Sequence, residues 1–171
     1  MANEFTLEWN IAEFNRQLSG AADRFGADAS KVVRASAAKI VEQVLRTWPV
    51  DTGRSRAGWR FSAEGTGATF TAKGSSREEQ AKGASQGHFV DELGGLTPFV
   101  EIGNAVEYAE ILEFGHSNQA PVGALRVALA EATGEMPDAL ARALEKAWER
   151  EGTKDLRAGA GLRRSDFSKK D

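Results

Sequence analysis

Val32, Val33, Ala37, Ile40, Val41, Val44, Leu45 and Trp48 recur at the period of an α-helix and fall on one stripe. Lys31, Arg34, Lys39, Glu42, Gln43 and Arg46 fall on the opposite face, with Glu42 four residues ahead of Arg46 in the favourable orientation. A helix of this kind is stable only if another layer covers its apolar stripe, so the remainder of the chain has to supply that cover. Asp28 or Ser30 can cap its start. Pro49 ends it at about Trp48, because proline lacks an amide hydrogen and pushes the preceding residue out of the helical region.

The chain has 171 residues, 41% of them hydrophobic, which is enough for one domain with a substantial core but cramped for two. We read residues 1–150 as a single α+β domain and 151–171 as a flexible tail. Before the long helix, Phe5, Leu7 and Trp9 alternate like a half-buried strand. Asn10 and Glu13 then have capping-box spacing ahead of a helix carrying Ile11, Phe14, Leu18 and Phe25, which Gly20 and Gly26 weaken or bound. After it, Trp59, Phe61 and Ala63 alternate with polar residues and predict a strand, which the Gly65-Thr66-Gly67 turn joins to Thr69–Thr71 as a hairpin. Residues 73–95 form a polar insertion expected to be mobile in the isolated chain, since between Lys73 and His88 the apolar residues are Ala81 and Ala84 alone. Strand pairing resumes at Thr97–Gly103, and a short helix ends at Gly115. A loop over His116–Gly123 leads to a helical stripe at Ala124–Ala132, and a separate one starts near Pro137. The expected fold is therefore α+β: a small antiparallel sheet of about four strands packed on one long helix, with shorter helices around it. Trp48, Trp59 and Trp148 are expected in the core.

Charge and composition remove several classes of function. The net charge of -3 is too balanced to make a polyanion the partner of the whole chain. From Arg150 onward there are seven basic and four acidic residues, so the tail is the basic segment, and it is read as solubilising or as a weak nucleic-acid contact. The absence of cysteine excludes disulfides, thiolate catalysis and cysteine-ligated metals. No basic-then-apolar leader and no long apolar run predict a signal peptide or a membrane span, so a soluble protein is expected.

Three groups of residues invite a chemical reading. Asp51-Thr52-Gly53 matches the short aspartic-protease signature, but those enzymes place it in an all-β fold. A turn in which the Asp51 carboxylate accepts backbone hydrogen bonds is the stronger reading. Asp91, Glu92, Glu101, Glu107, Glu110 and Glu113 lie in Gly83–Leu125, which lacks Lys and Arg, and read as a solvated acidic face. His88 and His116 lack ligand spacing to a carboxylate pair, so no metal and no cofactor is expected. Arg54 and Arg56 read either as exposed residues at the start of a strand or as partners in an interface ion pair.

Pro49–Trp59, PVDTGRSRAGW, resembles a motif of the tail-completion or head-tail joining proteins of long-tailed phages, the group that includes lambda-type minor tail protein Z. Val106–Gly115, VEYAEILEFG, and Ala120–Ala132, APVGALRVALAEA, are similar to later segments of that family. The likeness spans most of Asn3–Trp148; the loop before Leu125 departs by lacking an arginine-proline run, and the 73–95 insertion is long. The resemblance implies a non-enzymatic virion protein of the neck, assembled in the host cytoplasm. It would form a ring, usually of six copies, between the tail and the head connector. Its partners would be itself, the connector, and tail-terminator or tail-tube proteins; DNA would pass through without specific binding, and a second reading of the acidic stretch, beside that of a solvated face, has it lining that passage. Asp51, Arg54, Arg56, Glu113, Phe114 and Gly115 are the expected subunit-interface residues. Neighbouring tail roles such as the terminator, a nucleic-acid-binding module and an aspartic-protease-like enzyme are the alternatives.

Overall fold

The computed structural model describes residues 11–115 and 123–159. Two long helices, α1 (Ile11–Thr47) and α6 (Ala124–Gly159), pack against each other over most of their length. They run antiparallel, as the ion pairs Lys39–Glu135 and, at 3.7 Å, Asp28–Arg150 show. At 1.5 Å per residue each is roughly 55 Å long. Their seam is built from small residues: Ala21, Ala29 and Ala37 from α1 and Ala128, Ala132, Ala143 and Ala147 from α6 are all buried. Small side chains allow close approach of the axes but remove little apolar area per residue from water. The better core lies at the C-terminal end of α1, where Ile40, Val41, Val44, Leu45 and Trp48 meet Trp59, Ala63, Val106, Ala124 and Ala128.

Between the long helices the chain makes three short helices, a hairpin and a fourth short helix: α2 (Arg54–Ala57), α3 (Arg60–Thr66), α4 (Arg77–Ala84), β1 (Gly87–Glu92), β2 (Phe99–Asn104) and α5 (Ala109–Phe114). The strands pair antiparallel from Gly87↔Asn104 to Glu92↔Phe99. Ser62 on α3 donates to the His88 carbonyl at 2.9 Å, and Arg34 on α1 pairs with Asp91 at 2.5 Å. The hairpin tip lies on α1 at Gly26, where a Cβ would come within 2.5 Å of the Gly95 carbonyl oxygen. Ser30 Oγ ties the same place together through the carbonyls of Gly26 and Leu93.

The α+β class and the long apolar-striped helix agree with the sequence reading; several elements do not. The sheet has two strands, where about four were expected. Trp59–Ala63 alternates like a strand, but Ser62 and Thr66 are the residues buried beside Trp59 and Ala63, while Phe61 is exposed. That is a helical period written in small polar residues, and it forms α3. Gly67 then caps α3 in the left-handed conformation, so no hairpin forms at 65–67. The 73–95 segment carries α4, which Ser76 caps through Glu79 N, and β1. Gly20 and Gly26 do not divide α1, because packing along the α6 seam outweighs roughly 1 kcal/mol of helix propensity for each glycine. Pro137 likewise lies inside α6, since Ala132, Ala143 and Ala147 anchor the helix on both sides of it. There are thus two long helices, where one was expected. Trp148 is 49% exposed and outside the core. The strand read at Phe5–Trp9 and residues 116–122 and 160–171 lie outside the described residues, while the segment read as a tail is helical through Gly159. Among the described residues no helix is long and apolar enough to cross a membrane.

Two helical glycines should respond oppositely to alanine. Gly134 faces open space, so Gly134→Ala should stabilise the fold by about 0.5–1 kcal/mol. At Gly83 a Cβ would lie 1.9 Å from the Arg54 carbonyl oxygen, so Gly83→Ala should cost about 1–3 kcal/mol. Urea denaturation of both variants measures the two signs.

Candidate subunit-contact site

The corner between α1 and α2 is built around a helix end whose carbonyls have to be satisfied. The last turn of a helix leaves carbonyls without intrahelical donors. Here Thr47 Oγ1 donates to Gln43 O at 3.0 Å, Trp48 N donates to Val44 O at 2.7 Å, and the Arg56 guanidinium donates to Leu45 O. Arg56 Nε also donates to Thr71 O at 3.3 Å. Arg56 is only 5% exposed, a correction to the reading that displays it on the surface. Desolvation pulls its pKa below the usual arginine value. Its compensation is the negative end of α1, a favourable place for a cation.

The rest of the corner follows from this placement. Trp48 Nε1 donates to Ser55 Oγ at 2.8 Å, and Asn104 Nδ2 donates to Ser55 O at 2.7 Å. The rings of Trp48 and Trp59 meet edge to face, 5.2 Å between centroids. Gly53 has φ 92°, the left-handed conformation glycine accepts without penalty, and its Cβ position lies 2.2 Å from Lys73 O. Asp51 is exposed; its main-chain oxygen, rather than its carboxylate, accepts from Ser75 N at 3.1 Å. Arg54 lies partly buried between Glu79 at 3.7 Å and Glu107 at 3.5 Å.

Glu113 belongs to the interior, not to a solvated face. Its carboxylate accepts from Leu125 N at 2.8 Å and Arg126 N at 2.9 Å, capping the start of α6 from a different helix. The Glu113 main-chain oxygen accepts from Gly123 N at 2.8 Å, and Gly115 caps α5 at φ 81°. Phe114 is 52% exposed, with the Arg126 guanidinium 5.1 Å from its ring centroid. Tyr108 and Leu112 line, together with Pro49–Arg56 and Glu79, a cavity of about 380 Å³. The structure therefore brings Asp51, Arg54 and Arg56 beside α5, the helix that carries Glu113 and Phe114.

The other acidic residues divide. Asp91 pairs with Arg34, Glu101 with His88 at 3.0 Å, and Glu107 with Arg54, whereas Glu92 and Glu110 are exposed without an ion-pair partner among the described residues. Among the described residues no cluster of histidine and carboxylates is placed to hold a metal, and His116 lies outside them. Sequence reasoning missed Ser55 and Asn104 as the polar centre of the corner. The signal was present in part, since a serine seven residues after a core tryptophan that ends a helix is well placed to accept its indole N–H.

Residues 12–115, more than half of the chain, match the family model described as "Bacteriophage HK97-gp10, putative tail-component". No curated protein and no solved structure gave a match.

Two substitutions test the internal roles. Arg56→Met should cost about 1–3 kcal/mol by leaving the Leu45 carbonyl unsatisfied, read as a lowered unfolding midpoint. Glu113→Ala should cost a similar ~1–3 kcal/mol and accelerate hydrogen exchange at the Leu125 and Arg126 amides, while amides in the middle of α1 keep their relative protection.

Proposed function

Because the chain belongs to the HK97-gp10-like family of bacteriophage tail components, we propose that it is the tail-completion or neck subunit that joins the tail to the head connector. Membership makes it a structural, non-enzymatic component of the virion. In the proposed assembly, copies of the chain, six in number, close into a ring that contacts the connector on one side and terminator or tail-tube proteins on the other. DNA crosses the ring without specific binding, past carboxylates such as Glu92 and Glu101.

One observation supports this reading above the rest. The two motifs that resemble the joining family, Pro49–Trp59 and Val106–Gly115, have 46 residues between their nearest ends yet line one cavity. Residues held together in this way suit a shared surface. Arg56, Glu113 and Gly115 set its shape from within, while Asp51, Arg54 and Phe114 stand where a neighbouring subunit would reach them. A ring requires each copy to offer different surfaces to its two neighbours, and a contact of that kind closes only if the rotation between copies divides a full turn.

Virions produced with Asp51→Ala or Arg54→Ala in place of the natural residue test the contact. The expected outcome is full heads and separate tails with a loss of joined, infectious particles. Normal infectious particles from both variants would remove these residues from the contact. Electron microscopy of particles carrying a labelled copy should place the label between head and tail, and label elsewhere in the virion would overturn the neck assignment.

A further inference from the structure

The side of the α2–α4 pair that faces away from α5 holds a second cleft, of about 330 Å³. Its floor is apolar, with Phe70, Ala81 and Ala84, and its rim carries Arg60, Lys73 and Arg77 with no lining carboxylate. Arg60 pairs with Glu64 at 2.7 Å; Lys73 and Arg77 are exposed and have no ion-pair partner among the described residues. On α4, Glu79 turns to the first cavity, whereas Arg77, Ala81 and Ala84 turn to this one. The two cavities therefore lie on opposite faces of that helix.

The complementary surface is on α5 of the same chain. Glu110, Ile111 and Phe114 share its outer face by helical spacing, whereas Ala109, Leu112 and Glu113 turn inward. Ile111 is 47% and Phe114 52% exposed, and Glu110 is exposed without an ion-pair partner among the described residues. One surface is thus apolar with a cationic rim, and the other is apolar with the Glu110 carboxylate beside it, while the Arg126 guanidinium at Phe114 is already paired with Glu113 at 3.6 Å. Each also leaves apolar side chains in water, which a contact would cover.

Resting on the ring reading above, we propose that the outer face of α5 docks in the Arg60–Lys73–Arg77 cleft of the next copy, with Ile111 and Phe114 over Phe70 and Glu110 between Lys73 and Arg77. Two different surfaces, the cleft beside α4 and the outer face of α5, make the contact head-to-tail, so that it repeats around the ring and leaves no copy with an unused face. Matching a cationic rim to a carboxylate fixes register and rejects a face-to-face pairing of two clefts, which would oppose like charges.

Charge exchange in the full chain tests it, with oligomeric state followed by sedimentation and native mass. Lys73→Glu with Arg77→Glu, or Glu110→Lys alone, should raise the concentration at which the assembly dissociates about tenfold or more, and their combination should restore much of the loss. If the reversals leave a wild-type ring undisturbed, this contact is wrong and the ring reading stands. If the wild-type chain is monomeric both alone and with its head and tail partners, the ring reading itself fails and takes the contact with it. The chain contains no cysteine, so Arg77→Cys with Glu110→Cys provides a second measurement that does not depend on charge. A short bis-maleimide should give a ladder of covalent oligomers from the double variant and none from either single variant, and monomer alone from a double variant that assembles would overturn the proposal.

Discussion

The placement of Arg56 against the C-terminal carbonyls of α1 is the constraint on which the rest of the structure hangs. A buried guanidinium is costly unless its donors meet acceptors, and a helix end buried in a core is costly unless its carbonyls meet donors. At this corner each deficiency answers the other. Fixing Arg56 fixes the single turn of α2, which puts Ser55 under the Trp48 indole and delivers Trp59 to the edge of the same ring. Asn104, at the end of the hairpin, is then drawn to the Ser55 carbonyl. One internal cation thereby joins the long helix, the short helices and the sheet, and the exposed surface of the corner inherits that geometry.

Glu113 performs the corresponding task at the start of α6 with the opposite sign. A carboxylate at a helix N-terminus meets unsatisfied amides and the positive end of the helix dipole. The two charged residues therefore cap the two long helices from outside those helices, both at the same end of the antiparallel pair, Arg56 at the C-terminus of α1 and Glu113 at the N-terminus of α6. This explains why residues with the chemistry of a reactive site do not form one: their polar atoms are committed to main-chain groups, in keeping with the structural role of the family.

What was legible in the sequence was whatever periodicity and proline control directly. The apolar stripe to Trp48, its termination at Pro49, the helix ended by Gly115 and the second strand of the hairpin all fall where local rules place them. What failed depended on partners far along the chain. Trp59, Phe61 and Ala63 gave a strand because the alternation counted Phe61 as buried; the core accepted Ser62 and Thr66 instead, after their hydroxyls bonded to main-chain carbonyls. Gly20, Gly26 and Pro137 marked breaks that do not occur, because each helix provides the packing that carries the other past them. Arg56 and Glu113 were read as contact residues, and their burial was not legible, since no local pattern reports that a charge will meet a helix end.

The close approach at Gly83 has a geometric consequence for any closed assembly of this chain. A ring tolerates only a small error in the angle each unit subtends, because the error accumulates once per copy until the last joint fails to meet the first. Side-chain packing alone would leave the spacing of α4 from α2 adjustable by a rotamer change. Here main chain rests on main chain, with the Arg54 carbonyl where a Gly83 methyl would be, so the separation between the two cavity-bearing faces is set by van der Waals contact of the backbone itself. Such a unit behaves as a gauge of fixed thickness, whose dimension a change of surface residues leaves as it is.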